Sequence, residues 1–230
     1  MKILAIETSG MEASVALADA EGLRVESVLD TAGRRNARLL VPAVQELLLK
    51  CDWQPADIGV VSVSIGPGSF TGLRVGVVFA KTFAWINNAK LVAIDTLQGL
   101  AQRLAPADGD ITVISDAQRG DVFVNAYHHV AQQAALQPCG PVRIECFETV
   151  VDAIPSGHVL TGPAVLKFRD QLSPSIVVAA DDLLEPRANA LLPATRESIA
   201  RSNWADQDSL EPVYLRRSYA EEKRNAETGT

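Results

Sequence analysis

A chain of 230 residues, 47% of them hydrophobic, can bury a substantial core, and it suits one large domain or two lobes of roughly 100 residues each. Its formal net charge of −7 argues against strong non-specific nucleic-acid binding by the chain alone, which needs a clustered positive field. The local cationic clusters, Arg34-Arg35-Arg38 and Arg216-Arg217, read as solvated faces. Met1 to Ala5 lacks a cationic leader, and no apolar run approaches the roughly 18 residues that span a bilayer. A cytoplasmic protein without membrane contact is expected. Cys51, Cys139 and Cys146 show neither an even count nor a C-x-x-C spacing, so neither a disulfide framework nor a zinc site is expected.

Ile3 to Ile6 is an apolar run that ends in the polar turn Glu7-Thr8-Ser9-Gly10, as a buried strand does. Ser14 to Ala18 reads as its antiparallel partner, and Leu23 to Val28, after the turn Asp19 to Gly22, as a third strand. From Asn36 to Lys50, Leu40, Val44, Leu47 and Leu48 recur at helical spacing, with Pro42 marking a late start or a kink. Ile58 to Ile65 is a β-branched run suited to a central strand. A helix from Phe70 to Asn87, a strand Leu91 to Ile94 and a short helix Leu97 to Arg103 capped by Thr96 follow.

From Asp110 a looser version of this order recurs: strands at Ile111 to Ile114, Val122 to Tyr127 and Val142 to Cys146, a helix near Thr149, a strand Val159 to Thr161, a helix near Lys167 and a strand Ile176 to Ala179. A meander feeding alternating helices and parallel strands is a specific order among α/β folds. Two such lobes, each a mixed sheet of βββαβαβ type flanked by helices, resemble the actin-like ATPase (ribonuclease H-like) architecture. The expected lobes are residues 1–104 and 105–220, with a disordered tail at 221–230.

Between the fourth strand and the long helix lies SIGPGSFTG, where Gly66, Gly68 and Gly72 let backbone approach without a Cβ in the way. Ser69 or Thr71 can cap the helix, and a helix N-terminus attracts anions. With Thr8, Ser9 and the later turn at Gly162, this makes a vestigial nucleotide site. The loop is no P-loop, because G-x-x-x-x-G-K-[ST] is absent, and Pro163 removes an amide donor from the later turn. The alternative is a tight strand-to-helix turn that holds no ligand. Along the long helix Gly72, Gly76, Ala80 and Ala84 form a small-residue stripe beside Phe79 and Phe83. Either the stripe packs inside its own lobe, or it is shared with a partner helix together with Leu40, Val44 and Leu47.

Four segments, ILAIETSGMEASVAL (Ile3 to Leu17), IGPGSFTGLRVGVVFA (Ile65 to Ala80), ISDAQRGDVFVNAY (Ile114 to Tyr127) and EPVYLRR (Glu211 to Arg217), resemble those of the bacterial TsaB (YeaZ) family. That resemblance implies a partner subunit of TsaD, working with TsaE to install the threonylcarbamoyl group on N6 of adenosine 37 in tRNAs that read ANN codons. tRNA is then reached only through the complex, and a homodimer stays open. TsaD relatives hold a metal with a His-x-x-x-His pair; Thr96 and Leu100 stand at those places here. His128 and His129 point to opposite faces of a strand and His158 is alone, so no metal site and no catalytic residue are expected. Asp116, Arg119 and Asp121 read as a turn-stabilising set. The expected cofactor is none, with weak ATP or ADP binding left open. The competing readings are a stand-alone nucleotide-binding ATPase or phosphotransferase and a glycoprotease-type metallopeptidase.

Overall fold

The structure, a computed structural model, describes residues 1–29, 36–104, 110–128 and 136–216. Strands β1 (Lys2–Glu7), β2 (Ala13–Asp19) and β3 (Gly22–Leu29) form the antiparallel meander. Helix α1 (Asn36–Lys50), strand β4 (Ile58–Ser64), helix α2 (Phe70–Asn87) and strand β5 (Lys90–Ile94) complete a sheet of order β3-β2-β1-β4-β5. β4 lies parallel to both β1 and β5. The unbroken apolar run of β1 has a plain cause: both faces of the sheet are covered. Leu4 and Ile6 join the core with Leu40, Leu47 and Val77 from α1 and α2, whereas Ile3 and Ala5 face Leu191 and Leu192 on the other side.

Helix α3 (Thr96–Gln102) leads to the second lobe, built from β6 (Ile111–Asp116), β7 (Asp121–His128), β8 (Gln137–Pro138), β9 (Arg143–Cys146), α4 (Phe147–Ala153), β10 (Val159–Thr161), α5 (Ala164–Phe168) and β11 (Val177–Val178). Its sheet runs β11-β10-β6-β7-β8, with β9 also on β7. β6 therefore stands where β1 stands in the first lobe, between an antiparallel and a parallel neighbour. The two-lobed actin-like α/β fold read from the element order is the observed one.

Four local readings need correction. The cap of α3 is Asp95, whose Oδ1 accepts from the Gln98 amide at 2.9 Å, while the Thr96 hydroxyl accepts from the Gly66 amide at 3.2 Å. The last strand of the second lobe covers only Val177–Val178. β8 was not read at all. Residues 188–210, placed by sequence in the second lobe, return to the first: helix α6 (Leu192–Ala200) packs Leu192 and Ala194 on the far face of the first sheet, and the Ala205 amide bonds to the Leu91 carbonyl at 2.8 Å. Arg34, Arg35, Arg217, His129 and the 221–230 tail lie outside the described residues.

Candidate functional site

The turn after β1 and the glycine loop before α2 meet at the first lobe's inner end. Glu7 is buried, and its Oε1 accepts from the Ser9 amide at 2.6 Å and the Ser64 hydroxyl at 2.8 Å. Burial pushes its carboxyl above the usual 4.5, against the lowering effect of those bonds. The native state thus holds a proton that the unfolded chain releases from about pH 4.5 upward. Its contribution to stability is full below that pH and falls as pH rises through the raised native value. Glu7→Gln, which keeps an acceptor and cannot ionise, is expected to remove this decline. Urea unfolding across pH 4.5 to 8 checks it, and parallel profiles for parent and variant would contradict it.

Thr8 and Ser9, beyond Glu7, are buried by the loop itself. A Cβ at Gly72 would lie 1.9 Å from the Thr8 carbonyl oxygen, one at Gly76 2.2 Å from Thr8 Oγ1, and one at Gly68 2.7 Å from Ser9 Cβ. The Ser69 amide donates to the Ser9 carbonyl at 2.8 Å, and the Gly72 amide to the Ser69 hydroxyl at 3.2 Å, so Ser69 caps α2 and Thr71, exposed, does not. At Gly162 a Cβ would meet the Ile114 carbonyl oxygen at 2.1 Å. The glycines that would cradle a phosphate are spent on close packing of the chain's own backbone, and the Gly66, Ser69 and Gly72 amides already have acceptors.

Between the lobes a cleft of about 690 Å³ remains, lined by Ser9, Gly68 and Ser69 on one side and Asp116, Pro163 and Lys167 on the other. Sequence reading missed Lys167 as a cleft residue, and its Nζ is tied to Asp116 Oδ1 at 2.9 Å. Only the fold brings these two together, across 51 positions. Val213 to Arg216, within the EPVYLRR segment, strap the cleft. The Val213 amide donates to the Ile65 carbonyl at 2.7 Å, Tyr214 packs on Phe70 with centroids 4.5 Å apart and planes tilted by 31°, and Arg74 Nε donates to the Tyr214 hydroxyl at 3.0 Å. Arg216 then reaches the 117–121 turn, bonding the Ala117 and Gln118 carbonyls and Asp121 Oδ2 at 2.8 Å. Asp116 and Asp121 serve the turn, as read from sequence, each with a cation from elsewhere in the chain.

The small-residue stripe faces inward. Gly72, Gly76, Ala80 and Ala84 are buried within the lobe, as are Leu40, Val44 and Leu47, and Phe79 and Phe83 are half-buried beside them. This corrects the shared-stripe reading: α2 needs its small face to lie against Thr8 and the sheet, so the buried positions are unavailable to a second chain. The outer face carries different residues. Val78, Trp85 and Ile86 on α2 are 63%, 76% and 66% exposed, and Val41 and Leu49 on α1 are exposed as well. Their spacing of seven and eight along α2 is a helical stripe, opposite the small one.

Residues 30–145, half of the chain, match the family model described as TsaD, tRNA N6-adenosine threonylcarbamoyltransferase. The tRNA threonylcarbamoyladenosine biosynthesis protein TsaB of Escherichia coli is 28% identical over 97% of this chain and 98% of its own length. The TsaB of Bacillus subtilis is 38% identical over 129 residues, where the match spans 56% of each chain. The chain belongs to this family, on its TsaB (YeaZ) side. The YeaZ structure from Pseudomonas aeruginosa shares its fold, with a TM-score of 0.80 at 24% identity over 93% of this chain and 99% of that one. Thr96 and Leu100, where the resemblance to TsaD would put a histidine pair, are both buried, and the Thr96 hydroxyl is bonded to the glycine loop. Elsewhere His128 Nδ1 lies 3.3 Å from Cys139 Sγ and His158 Nδ1 2.9 Å from the Thr112 hydroxyl. Among the described residues no three His, Cys, Asp or Glu side chains gather as a metal site, and no helix is long and apolar enough to cross a membrane.

Proposed function

We propose that the chain is a non-catalytic subunit that pairs with TsaD and supports threonylcarbamoyl transfer to N6 of adenosine 37 in tRNAs reading ANN codons. The observation that carries this reading is a contrast within one lobe. The inner end of α2, where a nucleotide phosphate would rest, is filled by Thr8 and Ser9, while its outer face and that of α1 leave large apolar side chains in solvent. Large apolar side chains left exposed on neighbouring helix faces suit a protein interface. The pairing face comprises Val78, Trp85 and Ile86 of α2 and Val41 and Leu49 of α1, laid against the equivalent helices of TsaD in a four-helix contact. TsaE joins that pair, tRNA is reached through the complex, and the protein acts in the cytoplasm without a cofactor of its own.

A self-pair would use the same face and therefore compete with TsaD. Sedimentation of the chain with TsaD tests the reading: a one-to-one heterodimer should form at the expense of any homodimer. Absence of a heterodimer at micromolar concentrations would count against it. The ATPase reading rests on the open cleft alone, and the filled phosphate positions and the Lys167–Asp116 pair weigh against it.

A further inference from the structure

A second cavity, of about 550 Å³, sits on the far face of the first lobe, where the β2–β3 turn, the end of α3 and the start of α6 converge. It shares no lining residue with the interlobe cleft. Leu23, Ala190 and Leu192 give it apolar walls, and Arg103, Arg196 and Asn189 bring polar groups to them. We propose that this cavity binds a small phosphate monoester, its phosphate held by Arg103 and Arg196 and its organic body against the apolar walls.

Arg24, Arg143, Arg169, Arg187, Arg201 and Arg216 each have a carboxylate partner. Like Arg74, whose Nε bonds the Tyr214 hydroxyl, Arg103 and Arg196 have none among the described residues. Each is steered by a backbone carbonyl instead, that of Asp182 for Arg103 and that of Asp19, at 3.0 Å, for Arg196. A carbonyl orients a guanidinium without neutralising it. Arg103 Nε is also buried with no acceptor. Burial, then the nearby Arg187, push the Arg103 pKa down, more than Glu26, Asp182 and Glu185 raise it, so its positive charge is incompletely compensated. Glu26 is itself engaged, accepting from the Asn189 amide at 2.9 Å. Two guanidiniums on one cavity suit a dianion with three terminal oxygens better than a carboxylate. The volume exceeds that of inorganic phosphate and lies in the range of small-molecule sites.

Calorimetry on the full chain tests this with phenyl phosphate, inorganic phosphate and benzoate as probes. Phenyl phosphate should bind, and about tenfold tighter than either of the others. Arg196→Gln, at an exposed position, should weaken it about tenfold or more, whereas Arg24→Gln, whose side chain does not line the cavity, should leave it unchanged. Leu23→Trp, at a half-open rim position, should also weaken binding while thermal unfolding stays as in the parent. No binding of phenyl phosphate at about 10 mM would overturn the proposal. So would equal affinity for benzoate, or parental affinity in both Arg196→Gln and Leu23→Trp.

Discussion

Trp85→Glu is expected to abolish association with TsaD at micromolar concentrations while leaving the isolated chain folded. The indole is 76% exposed on α2, with Val78 one heptad before it and Ile86 beside it, so removing it costs the monomer little. In a helix-to-helix contact the same ring is the largest apolar group on offer. A central tryptophan typically carries about 2 kcal/mol or more of binding free energy, and a carboxylate placed there adds an unpaired buried charge. A loss of at least about 30-fold in affinity follows. Ala84→Leu, on the buried stripe, has the opposite signature: its target is the monomer core, so unfolding shifts before affinity does. Thermal unfolding measured beside affinity for TsaD separates the two. An unchanged Kd for Trp85→Glu would remove the outer face of α2 from the interface.

Gly72→Ala should be strongly destabilising. Its Cβ would stand 1.9 Å from a backbone oxygen, that of Thr8, which cannot swing aside because Ser9, the next residue, is tied to Ser69 and Glu7. Overpacking against a fixed backbone costs about 3 kcal/mol or more. For a chain of this size that lowers Tm by roughly 6 to 12 °C. Gly76→Ala meets a side-chain atom instead, Thr8 Oγ1 at 2.2 Å, so it should be milder and should be relieved in a Thr8→Ala background. Gly72→Ala should gain little from Thr8→Ala, since the carbonyl remains. If Gly72→Ala unfolds with the parent's midpoint, the loop is not packed on the β1 turn.

Much of this fold is legible in the residues because local and tertiary demands agree. The run Ile58 to Ile65 is rich in β-branched residues, and Ile58–Ser64 of it is a strand within the sheet; Ser69 precedes an apolar helix and caps it. Helix α6 was not legible: Leu192, Ala194 and Thr195 give it a short, weakly apolar buried face, and what holds it is the sheet it returns to, including a Thr195-to-Ser62 hydroxyl bond of 2.6 Å. Asp95 and Thr96 are adjacent and both of capping type, so the choice between them depended on Gly66 occupying the Thr96 hydroxyl.

The candidate site divides in the same way. That Thr8, Ser9, Gly66, Gly68 and Ser69 gather at one point follows from strand and helix order, and they do gather there. Which way the small stripe of α2 faces does not follow, because glycine and alanine at every fourth position suit a close backbone turn as well as a second helix. Thr8 decides it. Ile86 is legible as part of the apolar ridge beside the stripe, whereas Val78 and Trp85, seven residues apart, carried a signal that the more conspicuous glycines masked. The Arg216 clamp on the 117–121 turn and the Lys167–Asp116 pair join residues too far apart in sequence for any local pattern to register.

The proposed role is to support a partner's chemistry without performing it. The most direct measurement is threonylcarbamoyladenosine formation on an ANN-reading tRNA with TsaD and TsaE, titrating the chain from zero to excess over TsaD. The expected result is product that rises with the chain, saturates at one equivalent per TsaD, is absent when the chain replaces TsaD, and is lost with Trp85→Glu. Full activity of TsaD and TsaE without the chain, or product formed by the chain alone, would rule out that role.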